Sequence, residues 1–206
     1  MKNYILLLAL ITINVSIAQT SQDSIYNNPQ LTQNSAQRIL SNSLGKKVTL
    51  GGYAELTYNQ PESANGELDV QRMVILVGYN FNDDVQFVTE IEFEHVSEVF
   101  VEQAFINYSI GDNVSLRGGL MLIPMGILNE YHEPTTFNGV ERPAVDNVIV
   151  PTTWRELGVG VIGRFPDASL GYQVYVFNGF KSTESDGNGG LNGFLKGSNG
   201  LRSGRQ

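Results

Sequence analysis

The chain has 206 residues, a formal net charge of −8 and no cysteine. The missing thiols exclude disulfides and thiolate metal sites, and the acidic balance argues against nucleic acid as a partner. Stability has to come from backbone pairing and packing, and no motif calls for a cofactor.

Residues 1–18 read as a secretory signal. Lys2 supplies the positive charge, Ile5 to Ile13 the apolar core, and Ser16-Ile17-Ala18 a small-x-small cleavage site. That apolar run falls short of the roughly 20 residues a membrane-spanning helix needs, and no later segment supplies them. Cleavage removes one cation and leaves a net charge of −9. Residues 19–47, rich in Asn, Gln and Ser, read as a mostly irregular periplasmic lead-in, in which Ala36 to Leu44 could make a helical turn or two.

Strands follow, marked by period-two alternation. Val48 to Asn59 sets Leu50, Ala54, Leu56 and Tyr58 against Thr49, Glu55 and Thr57. Val70 to Phe81 is less tidy, with Met73, Ile75, Val77 and Tyr79 opposing a mixed face of Arg72, Val74, Leu76 and Asn80. Val85 to Val96 alternates most cleanly: Val85, Phe87, Ile91 and Phe93 oppose Gln86, Glu90, Glu92 and Glu94. Phe100 to Ile110 places Gln103 and Asn107 on its polar face, and Val114 to Leu122 places Ser115 and Arg117 there. Leu157 to Val161 and Leu170 to Val176 complete seven strands, and the Gly-rich stretch 181–206 reads as a loop.

The connections alternate in length. Asn82-Asp83-Asp84, Gly111-Asp112-Asn113 and Pro166-Asp167 are tight polar turns, while Gln60 to Leu68, Ile123 to Trp154 and the Gly-rich tail are long; only His95 to Val99 departs from the rhythm. Short periplasmic turns and long outer loops characterise outer-membrane barrels, so the expected fold is an all-β antiparallel transmembrane β-barrel over residues 48–180. Seven strands do not close such a barrel, so the expected shape is an open curved sheet. Tyr79, Phe81, Phe87, Tyr108, Phe165 and Tyr172 cluster near the short turns, as an interfacial girdle would. A secreted or periplasmic β-sandwich binding module would also show alternation and turns, and it is the rival reading.

Three stretches carry a family resemblance: Glu102-Gln103-Ala104-Phe105-Ile106-Asn107-Tyr108, then Arg117-Gly118-Gly119-Leu120-Met121-Leu122-Ile123-Pro124-Met125-Gly126, then Arg155-Glu156-Leu157-Gly158. In order and spacing they resemble the phosphate-selective porin O and P family of Gram-negative outer membranes. The resemblance covers roughly Val48 to Phe180 and implies a trimeric porin with a polar lumen and a loop folded inward at its constriction, of which this chain would be the N-terminal part. It implies outer-membrane lipid and small hydrophilic solutes or ions as partners, a homotrimer at full length, and no enzymatic activity. The polar face departs from a phosphate path, which Arg and Lys should line, because here carboxylates predominate.

Two groups of residues are the candidate site. Glu55, Arg72, Glu90, Glu92, Glu94, Gln103, Asn107 and Arg117 are expected to line the pore. Glu90, Glu92 and Glu94, about 7 Å apart along one strand face, are expected to be solvated there. Glu94 and the adjacent His95 point to opposite faces and cannot readily share a metal ion. The link from Ile123 to Trp154 is too long for a simple connection. Either its Glu130, His132, Glu133, Glu141, Arg142 and Asp146 line a constriction, or Phe137, Val145, Val148 and Ile149 hold it as a surface loop.

Overall fold

The computed structural model describes residues 33–149 and 153–179. The expected signal, the first part of the lead-in and the Gly-rich tail lie outside the described residues. Seven strands form one sheet: β1 (Val48–Asn59), β2 (Glu67–Asn80), β3 (Val85–Glu94), β4 (Glu98–Gly111), β5 (Val114–Leu122), β6 (Arg155–Phe165) and β7 (Leu170–Phe177). Every neighbouring pair is antiparallel and the spatial order is the chain order, so β1 and β7 are the edges of an open sheet. The all-β expectation holds, and no helix among the described residues is long and apolar enough to cross a membrane.

Local chemistry explains where strands begin and end. Asn82 Oδ1 accepts from the backbone N–H groups of Asp84 and Val85, which closes the β2–β3 turn. β2 starts earlier than its alternation suggests, because Glu67, Leu68 and Asp69 pair with Asn59, Tyr58 and Thr57 across the hairpin. β3 stops at Glu94, where His95 and Val96 take positive φ angles of 47° and 68°.

The lead-in is more ordered than its polar composition suggests. Helix α1 (Ser35–Asn42) carries a reciprocal cap at its start: Asn34 Oδ1 accepts from Gln37 N–H at 3.0 Å, and Gln37 Oε1 accepts from Asn34 N–H at 3.1 Å. The helix lies on the polar face of the sheet, where Ala36 and Ile39 pack with Val74, Leu76, Val88, Phe105 and Met121. This contact accounts for the mixed face of β2: Val74 and Leu76 point inward because a helix covers them. Gly78 is required there, since a Cβ would overlap the Ile39 side chain.

The opposite face is apolar and uncovered. Leu50, Met73, Ile75, Ile106, Leu116, Leu157, Val159, Val174 and Val176 all point away from the helix, and Val176 is 72 % exposed. Burial is therefore inverted relative to a water-soluble sheet, with the charges inside and the large aliphatic side chains outside.

Candidate functional site on the inward face

The polar alternation of β1 to β5 delivers the expected pore-lining residues to one face. Glu55 stands opposite Arg72, Arg72 opposite Glu94, Glu90 opposite Gln103, and Asn107 opposite Arg117. Their environment differs from the solvated wall expected for Glu90, Glu92 and Glu94. Glu90 is 0 % exposed and Glu92 1 %, because α1 and the loop between β5 and β6 lie over them. A buried carboxylate needs donors, and one oxygen of each has them, while Glu90 Oε1 has no hydrogen-bond partner among the described residues. Ser35 Oγ and Gln103 Nε2 each donate to Glu90 Oε2 at 2.7 Å, and Arg72 Nη1 donates to Glu92 Oε1 at 2.8 Å. Arg72 also binds Glu55 through its Nε at 2.8 Å, so one guanidinium links two carboxylates across three strands. Glu94 is half-buried. Gln103 and Asn107 are buried as well, and Arg117 lies over the Phe105 ring at 4.5 Å.

Two strand irregularities shape this face. A β-bulge in β4 pairs Glu90 with Gln103 but Ile91 with Val101, leaving Glu102 as the extra residue. Glu102 and Gln103 are both buried on the inward side as a result. On β6, Gly158 and Gly160 lack the Cβ that would collide with Phe177 and Tyr175, and those two rings stack at 5.1 Å.

The long loop turns inward over the sheet. It contains a short 3-10 turn at Pro134–Thr136 and helix α2 (Ala144–Ile149), and Asn129 clamps its base. The Asn129 side chain donates to Ile123 O and Trp154 O at 2.7 and 2.8 Å and accepts from Trp154 N–H at 2.8 Å. Glu133 receives both guanidinium arms of Arg38 on α1, at 2.7 and 2.5 Å. Loop and helix are thus latched together above the buried carboxylates. Glu130 accepts from Gln173 at 3.0 Å, and its carboxyl is pushed above the usual range by burial.

His132 does not face an open passage: it is 1 % exposed, and burial followed by the nearby Arg142, Arg72 and Arg155 pushes its imidazole down to about 3. Its Nδ1 faces the Asn129 carbonyl at 3.3 Å, so the neutral tautomer donates there and Nε2 keeps its lone pair. Arg142 pairs with Asp146 at 3.4 Å. Phe137 lies on the inner side, whereas Val145 is exposed, so Val145 does not hold the loop to a wall.

At the long-loop end of the sheet these parts enclose a charged cleft of about 570 Å³. Glu55, Arg72, Glu94, Glu141 and Arg142 line it, and all five were expected from the sequence. Glu98, Glu102 and Arg155 line it too and were not. Glu102 escaped period-two reading because the bulge reverses its direction. Arg155 escaped because its partner is distant in sequence: its Nη1 donates to Glu102 Oε1 at 3.0 Å. Both residues stand in the motif stretches that carry the family resemblance, which was the signal available. Among the described residues no group of three or more His, Asp or Glu side chains is placed to hold a metal ion.

No family model matches the chain. An uncharacterized protein of Aquifex aeolicus (strain VF5) is 41 % identical over 152 residues, which is 68 % of this chain and 34 % of that protein. The chain therefore spans about a third of the length of the relative it matches.

Proposed function

We propose that the chain is part of an outer-membrane β-barrel channel, through which small hydrophilic solutes or ions diffuse passively along the inward polar face. The inverted burial carries this reading. Leaving a Leu, Val or Phe side chain in water forgoes about 1.5–3 kcal/mol relative to an apolar medium, and here such side chains predominate on one face of the sheet. Lipid removes that cost. A closed barrel is the β-architecture that satisfies every backbone group in a bilayer, so β1 and β7 would be joined by further strands. The paired aromatics Tyr79 with Phe81 and Phe165 with Tyr172, at 5.0 and 5.2 Å beside the short turns, suit a headgroup girdle. The carboxylates on the inner face favour cations over phosphate.

Fractionation of cells expressing the protein tests the reading. Recovery with outer membranes, with release by detergent but not by high salt or carbonate, is expected. A soluble monomer in the periplasm would overturn it in favour of a sandwich-type binding module.

A further inference from the structure

The inward face carries an apolar patch that a water-filled passage does not call for. Val74, Leu76, Val88, Phe105 and Met121 all lie there, and none is more than 4 % exposed. Helix α1 keeps them dry: Ala36 and Ile39 pack on the patch, and the partly buried Leu40 and Tyr53 pack beside it. The wall is recessed to receive Ile39. A Cβ at Gly51 would lie 3.6 Å from Ile39 Cδ1, and one at Gly78 only 2.5 Å from Ile39 Cγ2, so a side chain at Gly78 would lift the helix off the sheet.

Polar contacts fix α1 at both ends. At its start, Ser35 Oγ donates to Glu90 Oε2 at 2.7 Å, midway along β3. Beyond its last turn, Gln86 Nε2 donates to Ser43 Oγ and Asn80 Nδ2 to the Ser43 carbonyl, both at 2.6 Å, beside the Asn82–Asp84 turn. The helix therefore runs along the inner wall from the short-turn end to mid-height. There Arg38 meets Glu133 of the long loop, which arrives from the other end.

We propose that α1 is a permanent internal plug of the channel, seated on the inner wall while solute passes, with Gln37 and Ser41 on its exposed side forming part of the passage lining. The proposal rests on the channel reading, because the inward face encloses a passage only where the sheet closes. Undocking would put the whole apolar patch in water, and the hydrophobic effect opposes that. A helix with its side chains is about 10–12 Å across, so the room that α1 fills is lost to the passage.

The chain has no cysteine, so introduced thiols report without background. Ile39 Cγ2 is bonded to Ile39 Cβ, so its 2.5 Å approach to a Cβ at Gly78 brings the two Cβ positions within reach of the ~3.5–4.5 Å that a disulfide needs. In outer membranes from cells expressing the full chain, I39C/G78C should oxidise to an intramolecular disulfide, read as a loss of maleimide labelling that returns on reduction. S41C/G78C should not, because Ser41 lies on the exposed side of the helix. In the complete, barrel-closing protein, the cross-linked I39C/G78C channel should conduct equally before and after reduction, and S41C should lose conductance stepwise in planar bilayers as a bulky thiol reagent adds to it. A disulfide that fails to form, or conductance that rises on reduction, would show that α1 leaves its seat and would overturn the proposal. So would an S41C thiol that the reagent does not reach, or an adduct that leaves conductance unchanged. Should I39C/G78C fail to assemble, S41C decides the matter alone. Channels that ignore the S41C adduct would sink this inference and leave the channel reading standing; a complete protein that forms no channel would overturn both.

Discussion

At the scale of single residues, the inward face depends on buried polar groups whose partners come from another element. Glu90 shows this most clearly: the side chain is fully buried, and one oxygen receives both Ser35 Oγ and Gln103 Nε2. E90Q keeps an acceptor for those donors and removes a buried charge, so its stability should stay within about 1 kcal/mol of the parent. E90A strands both donors and should cost about 1–3 kcal/mol, read from urea unfolding in micelles. Equal losses in the two variants would mean that the volume of Glu90 matters and its hydrogen bonds do not.

His132 makes the second residue-level case, and its sign is opposite to that of a histidine in a salt bridge. Its folded-state pKa of about 3 lies below the ordinary 6.5, so the unfolded chain takes up the proton first as pH falls. The stability tied to its neutral form is present above pH 6.5 and is lost progressively towards pH 3. H132Q has no such titration. The Tm difference between parent and H132Q should therefore shrink or reverse as pH is lowered through that window; a constant difference would show that His132 is accessible to protons in the folded protein. Glu130, raised by burial, acts in the opposite sense, but it is common to both proteins and drops out of the difference.

At the scale of elements, α1 and the long loop form a joint cover over the sheet, fastened by Arg38 and Glu133 with side chains 15 % and 7 % exposed. A bidentate pair this sheltered should show coupling well above that of a surface ion pair, so a double-mutant cycle on R38M and E133Q is expected to give about 1.5–3 kcal/mol. Coupling near zero would mean that helix and loop dock independently. This cover also marks the limit of what the sequence discloses. Strands β1 to β7 are legible because alternation is a local property, and β5 from Val114 to Leu122 has the bounds its pattern suggests. The mixed face of β2 is not explicable locally, since Val74 and Leu76 look misplaced until Ile39, far earlier in the chain, covers them. For the same reason Glu90 and Glu92 look like a wet acidic stripe in sequence, although their donors, Ser35 and Arg72, sit on other elements. Glu102 is hidden by a purely geometric device, the one-residue bulge that turns an outward position inward.

At the scale of the whole molecule, the inversion of polarity and the inward loop together set what a passage along this face would admit. The loop is clamped at its base by Asn129 and latched to α1 at Glu133, so it is held over the inward face. Replacing residues 131–146 with a short Gly-Ser link keeps the Asn129 clamp while removing His132, Glu133, Glu141, Arg142 and Asp146 together. On the channel reading, the same replacement in the complete, barrel-closing protein should raise conductance per channel in planar bilayers, because the loop would no longer narrow the passage. Its cation preference should persist, because Glu55, Glu92 and Glu94 remain on the strands. The two readouts separate the parts: conductance reports the loop and the reversal potential reports the strand face. An unchanged conductance would put the loop outside the current path, whereas a lost cation preference would assign selectivity to Glu133, Glu141 and Asp146 and leave the strand carboxylates a structural role, as anchors for α1 and Arg72.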